Sequence, residues 1–270
     1  MQLNRQKISR WVKAVLLIYG LAGIAIYYLQ DYFFFRPVAL DARHRYDFGQ
    51  PYRELNLAFD HFSNINIVQF TTAARPKGCV LYFHGNRKNI SWYARYAPMF
   101  TREGYEVWMI DYPGFGKSTG ALNEQVLHAY ALQLYRLARK SFSADSILLY
   151  GKSMGTGIAA RLAAHEPARQ LILETPYYSF ASVGAHFLPI YPMERIMHIR
   201  LPTYEFLPAV TMPILILHGT EDGLIPYSNA IRLKPLLKPG DRFVAIEGGS
   251  HNDLDQFELF RESVKEALRN

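Results

Sequence analysis

The apolar positions fall into three regimes along the chain. Residues 14–30 read AVLLIYGLAGIAIYYLQ, 17 positions without a charge between Lys13 and Asp31. Further on, 53–59 (RELNLAF) alternates polar and apolar, and 65–70 (INIVQF) does so less strictly. This predicts an antiparallel pair of strands at one edge of a sheet, joined across 60–64. From residue 79 the pattern changes to short, nearly continuous apolar runs: CVLYF (79–83), YEVWMI (105–110), SILLY (146–150), LILE (171–174), PILILH (213–218) and RFVAI (242–246). Such runs suit strands covered on both faces. The segments 92–102, 122–140, 154–165, 228–237 and 252–268 between or after them carry apolar residues at helical spacing. Strand–helix alternation of this kind predicts an α/β fold with a mostly parallel, doubly wound sheet. In such sheets ligands bind beyond the carboxyl ends of the strands.

As a helix, 14–30 spans about 25 Å, close to the ~30 Å hydrocarbon layer of a bilayer. Trp11 and Val12 extend it, and Lys13 can snorkel. Tyr27, Tyr28, Tyr32 and the run 33–35 suit an aromatic belt at the far interface. The reading is a basic cytosolic tail over 1–13, a transmembrane anchor with interfacial aromatics over 14–35, and one folded domain over 36–270. A cleaved signal peptide shares the basic and apolar regions, but no small-residue exit follows the apolar run. Arg5, Lys7, Arg10 and Lys13 contribute +4 of the net charge of +7, leaving a nearly balanced remainder. The basic tail orients the amino end to the cytosol and the domain to the extracytoplasmic side, periplasm or lumen. With no basic stripe interleaved with aromatics, no nucleic-acid partner is expected. The one cysteine, Cys79, excludes an intramolecular disulfide framework and a Cys-rich zinc site.

Candidate chemistry falls where the topology asks for it. Gly151-Lys152-Ser153-Met154-Gly155 follows the strand SILLY and opens the helix after it, the placement of a nucleophile on a sharp strand-to-helix turn. Ser153 would also sit at a helix amino end, favourable for a developing anion. A serine hydroxyl needs a base. His251, in EGGSHND after the last strand, lies on the same rim. An acid must orient the imidazole. Asp222 follows PILILH and completes the chain order serine, aspartate, histidine; Glu221, Glu174 and Asp253 are rivals for that role. Backbone N–H groups of Met154 and of Asn86, in His84-Gly85-Asn86 after CVLYF, are candidates for an oxyanion hole. Residues 175–211 form an insertion over the site, rich in aromatics. Its Tyr177, Tyr178, Phe187 and Tyr191 are candidates for an apolar substrate wall. No metal or cofactor is expected; the partners are a small-molecule or lipid acyl substrate and, through the amino-terminal helix, the membrane.

HGN (84–86), DYPGFGKSTG (111–120), GKSMG (151–155), LETPYYS (173–179), HGTEDGLIP (218–226) and GGSHND (248–253) together resemble the α/β-hydrolase superfamily. The likeness is greatest to its BEM46-like, ABHD13-type membrane-anchored members, which also carry an apolar amino-terminal segment followed by aromatics and Arg-Pro. The resemblance implies a serine hydrolase with Ser153, Asp222 and His251 as its triad, acting on a carboxylic ester or thioester. A peptidase or amidase of the same fold and a non-catalytic tethered scaffold are the alternatives. The sequence departs from the pattern at Arg87-Lys88-Asn89, where similar proteins have a small residue and then glycine, and at Pro113, where arginine is common.

Overall fold

The computed structural model describes residues 5–269, so that residues 1–4 of the expected basic tail lie outside the described residues. The chain starts with α1 (Arg5–Phe34), β1 (Arg36–Pro37) and the hairpin β2 (Tyr52–Ala58) and β3 (Asn64–Phe70). Next come β4 (Gly78–Phe83), β5 (Arg87–Lys88), α2 (Ile90–Tyr93), α3 (Pro98–Thr101), β6 (Tyr105–Ile110), α4 (Glu124–Ala138), β7 (Ile147–Lys152), α5 (Gly155–His165) and β8 (Gln170–Glu174). A cap follows, built of α6 (Phe180–Phe187), α7 (Met193–Ile196) and α8 (Thr203–Phe206). The chain then returns through β9 (Ile214–Gly219), α9 (Tyr227–Ala230), β10 (Arg242–Ile246) and α10 (Glu258–Arg269).

Eight strands form one sheet in the order β10-β9-β8-β7-β4-β6-β3-β2. From β10 to β6 all neighbours are parallel, and β3 is antiparallel to both β6 and β2. β4, β6, β7 and β9 are buried along their whole length, which is why their sequences are nearly continuous apolar runs. The edge strand β2 alternates because one of its faces meets water. Leu127 and Leu134 of α4 and Ile158 and Leu162 of α5 cover one side of the sheet. Phe100 of α3 with Phe260 and Val264 of α10 covers the other. Each fully buried side chain of this size is worth about 1.5–3 kcal/mol.

The single helix expected over 92–102 is broken. α2 passes through a 3₁₀ turn (Ala94–Tyr96) into α3, which begins at Pro98. Pro98 has no N–H to give and its ring crowds the carbonyl one turn back, so the α-helix cannot run through it. Similarly, the helix expected over 228–237 is 3₁₀ beyond Ala230, with Pro235 inside it.

α1 is long and apolar enough to cross a membrane, yet it is not a detached tether. Its second half lies along the cap. Tyr19 stacks on Tyr191 with ring centroids 4.6 Å apart, and its hydroxyl donates to the carbonyl of Ile190 at 2.8 Å. Gly23 permits this approach, since a Cβ there would come 3.2 Å from the Tyr191 ring. Gln30 is buried. Its amide donates to the carbonyls of Tyr27 (2.8 Å) and Ile196 (2.9 Å), and its Oε1 accepts from the N–H of His198 at 2.9 Å. The expected interfacial belt is therefore incomplete. Tyr28, Tyr32 and Phe33 are exposed, but Phe35 is buried, and Phe34 and Phe35 both pack on Phe180 of the cap.

Candidate active site

β7 ends at Lys152 and α5 starts at Gly155, so the chain reverses across Ser153 and Met154. Ser153 takes the left-handed backbone conformation, φ +53°, a strain of about 1–3 kcal/mol that the surrounding packing must hold. The flanking glycines are steric necessities. A Cβ on Gly151 would lie 2.5 Å from the carbonyl oxygen of Gly155, and one on Gly155 would lie 2.0 Å from that of Phe83. Behind the turn, Lys152 and Glu174 form a buried ion pair, and Glu174 also accepts from the hydroxyl of Tyr150. The backbone N–H of Ser153 donates to the carbonyl of Glu174 at 2.9 Å.

Three side chains from three strand ends meet above this turn. Ser153 Oγ lies 3.0 Å from His251 Nε2, and His251 Nδ1 lies 2.8 Å from Asp222 Oδ2. Burial raises the Asp222 pKa, but the hydrogen bond and charge of His251, the N–H of Ile225 and the nearby His218 outweigh it, so the carboxyl titrates below its ordinary range. An ionised carboxylate only accepts, which places the imidazole proton on Nδ1 and leaves Nε2 free to accept from Ser153. Asp222 Oδ1 accepts from the N–H groups of Leu224 (2.9 Å) and Ile225 (2.8 Å), fixing the carboxylate plane. The rivals are otherwise engaged: Glu174 pairs with Lys152, Asp253 accepts from the N–H of Ser250 at 2.7 Å, and Glu221 is exposed.

The loop after β4 presses on the serine. A Cβ on Gly85 would lie 3.5 Å from Ser153 Cβ and 2.7 Å from the Tyr93 hydroxyl, and Asn86 lines the same cavity as Ser153. This loop is stitched to the chain that leaves α1. β1 pairs in parallel with β5, the N–H of Arg36 donates to the carbonyl of Asn86 at 3.0 Å, and the Asn86 side-chain amide donates to the carbonyl of Phe34. Below it, His84 and Asp111 are fully buried with Nε2 and Oδ1 3.3 Å apart. Burial pushes the Asp111 carboxyl up, against the opposing effect of His84. Asp111 Oδ1 also holds the N–H of Ile90 at 3.0 Å. Gly116 of the DYPGFG segment admits Asp111, since a Cβ there would fall 1.8 Å from Oδ2.

Two cavities meet at Ser153. One, of about 460 Å³, is apolar and runs between α1 and α6; the other, of about 340 Å³, is lined by Arg87, Lys88, Lys152, His251 and Trp92 among others. Of the four aromatic residues expected to form a substrate wall, Phe187 lines the apolar cavity. The other three are corrected by the structure. Tyr177 is buried under α5, its hydroxyl donating to the carbonyl of Met154 at 2.8 Å, so it braces the turn from below. Tyr178 stacks on Tyr204 at 4.3 Å with the Arg232 guanidinium 3.6 Å above its ring. Tyr191 faces α1 instead of the cavity. The sequence reading missed the walls contributed by Ile26, Phe33 and Phe34 of α1 and by Leu224 and Ile225 beside Asp222. Only the amphipathic fit of α1 to the cap could have signalled the first group, and an all-round apolar helix hides it.

The chain is similar to known proteins in sequence and in fold. A family model described as serine aminopeptidase, S33, matches residues 74–206. An uncharacterized protein of Mycobacterium tuberculosis is 31% identical over 176 residues, covering 64% of this chain and 63% of that protein. The human alpha/beta hydrolase domain-containing protein 17C is 27% identical over 194 residues, covering 70% of this chain and 57% of that one. The chain thus spans less than two thirds of these relatives' length. Among solved structures, the Pyrococcus furiosus esterase PF2001 superposes with a TM-score of 0.65 at 15% identity, covering 87% of this chain and 97% of that one. Est1E from Butyrivibrio proteoclasticus with ferulic acid bound gives 0.61 at 18% identity, covering 80% and 96%. Sheet order, motif placement and these likenesses together give this chain the α/β-hydrolase fold.

Proposed function

We propose that the protein is a membrane-anchored serine hydrolase that cleaves a carboxylic ester or thioester with an apolar acyl group. The reading rests on one observation: the Ser153–His251–Asp222 relay, with spacings of 3.0 and 2.8 Å, stands at the inner end of an apolar cavity. His251 Nε2 takes the Ser153 proton as Oγ attacks the acyl carbonyl. The N–H groups of Met154 and Asn86 receive the oxyanion, each such donor being worth about 3–4 kcal/mol. Collapse expels the alcohol or thiol, protonated by His251. Water, deprotonated by the same imidazole, then releases the acid. The acyl chain occupies the apolar cavity and the leaving group departs through the cationic one.

The aminopeptidase description of the matching family gives the peptidase reading its hearing. Holding a peptide's amino-terminal ammonium calls for a carboxylate near the serine. Neither cavity lining contains Asp or Glu among the described residues, and the second presents the exposed Arg87 and Lys88, Lys152 being neutralised by Glu174. A free ammonium would meet repulsion there, whereas an ester with an anionic leaving group would not. The basic residues before the apolar stretch support an amino end in the cytosol and a domain on the extracytoplasmic side.

Hydrolysis of p-nitrophenyl esters from acetate to dodecanoate tests the reading. The wild type should turn them over with kcat/KM rising with acyl length, and S153A should lose about 10⁶-fold in kcat while staying folded. An S153A variant that keeps its activity would end the proposal.

A further inference from the structure

The apolar cavity at Ser153 is composite. Ile26, Phe33 and Phe34 of α1 form one wall; Phe180, Val183 and Phe187 of the cap helix α6 face them. The helix that is apolar enough to cross a membrane is therefore also a wall of the site. Levels along α1 can be read from its rise of about 1.5 Å per residue. Asp31 is the first charge after the apolar stretch. Ile26 lies about 8 Å beyond it, Gly23 about 12 Å and Tyr19 about 18 Å, against a hydrocarbon half-thickness of about 15 Å.

The cap changes character at the same levels. Beside Asp31 stands a polar rung: His198 Nδ1 is 3.9 Å from its carboxylate, and the neighbouring Gln30 is bonded to the backbone of residues 196 and 198. Beside Gly23 and Tyr19 stands the uncharged loop 187–191, FLPIY, held by the Tyr19–Tyr191 stack. That loop turns Phe187 (50% exposed) and Ile190 (69% exposed) outward. An apolar, uncharged projection at the depth of the hydrocarbon layer suits lipid and not water. The cavity runs from Ser153, on the domain side of the polar rung, to Ile26 and Phe187 on the membrane side.

We propose that loop 187–191 is inserted in the bilayer hydrocarbon, reaching about its midplane, and that the acyl chain of a membrane-resident lipid ester passes from the hydrocarbon between α1 and α6 to reach Ser153. The inference rests on Ser153 being the nucleophile. It makes the substrate class acyl lipids held in the membrane, and it makes α1 part of the binding site. The main-chain pairing of β1 with β5 then joins the membrane helix directly to the Asn86 loop.

The test uses the full chain in phosphatidylcholine vesicles and two covalent probes: hexadecyl fluorophosphonate dissolved in the bilayer and diisopropyl fluorophosphate in the buffer. Wild type should label at Ser153 with both. V183W, which narrows the cavity, should lower the ratio of long-chain to short-chain labelling at least tenfold. I190D, outside the cavity, should slow the vesicle-borne probe at least fivefold and leave the soluble one unchanged. Ratios within twofold of wild type in both variants would overturn the proposal. A nitroxide on I190C supplies an independent arm that needs no catalysis, the native Cys79 being buried. Greater accessibility to oxygen than to a water-soluble nickel complex supports insertion, and the reverse overturns it. If neither probe labels wild type, the hydrolase reading itself fails, while the nitroxide still decides where the loop sits.

Discussion

Replacing Asp222 by asparagine exchanges one carboxylate oxygen for an amide nitrogen and should remove almost all activity. The outcome follows from the backbone. Oδ1 accepts from two N–H groups, Leu224 at 2.9 Å and Ile225 at 2.8 Å, so the amide oxygen of D222N must take that position. The amide nitrogen then faces His251 Nδ1, where the carboxylate accepted at 2.8 Å. Two donors cannot face each other, so the imidazole moves its proton to Nε2. That nitrogen lies 3.0 Å from Ser153 Oγ and can no longer accept from it. A wrong tautomer in this arrangement costs about 10⁴ in kcat, or about 5.4 kcal/mol at 1.36 kcal/mol per decade. The loop bonds survive, so the fold should persist. The assay is kcat on p-nitrophenyl butyrate, with ¹⁵N NMR of the imidazole to read the tautomer and thermal unfolding to verify the fold. A folded D222N with less than a tenfold loss, or with its proton still on Nδ1, would refute the assignment of Asp222 as the orienting acid.

K152M should leave Glu174 buried without its cation and destabilise the protein by about 3–5 kcal/mol, with the K152M/E174Q double variant recovering most of the loss in guanidinium unfolding. A wild-type midpoint for K152M would show that the pair does not support the turn. His218 is fully buried and burial holds its pKa below 6.5, against the attraction of Asp222. The unfolded chain therefore binds a proton that the native state refuses. Stability is full above the unfolded value and is lost as pH falls toward the native one, at up to about 1.4 kcal/mol per pH unit. H218Q should flatten this slope by as much as one proton in unfolding measured from pH 7.5 to 5, and an unchanged slope would assign the effect elsewhere. Y177F should cost about 1 kcal/mol for the lost bond to the Met154 carbonyl and leave acyl-length preference alone; a shifted preference would return Tyr177 to the substrate cavity.

The strands of the parallel sheet were legible because burial on both faces writes continuous apolar runs, and β2 was legible because edge exposure writes alternation. The convergence of residues 153, 222 and 251 was legible for a topological reason: each follows a strand, and the carboxyl ends of parallel strands share a rim. The break at Pro98 was written in the sequence too, but helical apolar spacing continues across it and conceals it. The cavity walls were not legible. Ile26 and Val183 are far apart in sequence, and no local period records that they face each other. Tyr177, Tyr178 and Tyr191 show the converse, since aromatic content marks the cap without stating which way a ring points. The departure at Arg87-Lys88 acquires a meaning only in three dimensions, as a short ladder to the chain leaving α1.

The claim that everything else depends on is that the Ser153 hydroxyl is the nucleophile. Intact-mass and peptide mapping of the full chain after reaction with a fluorophosphonate tests it most directly. The account requires one adduct, on the peptide carrying Ser153, absent from S153A and slowed at least 10³-fold in D222N. An adduct on another residue, or one that S153A still forms, would contradict it.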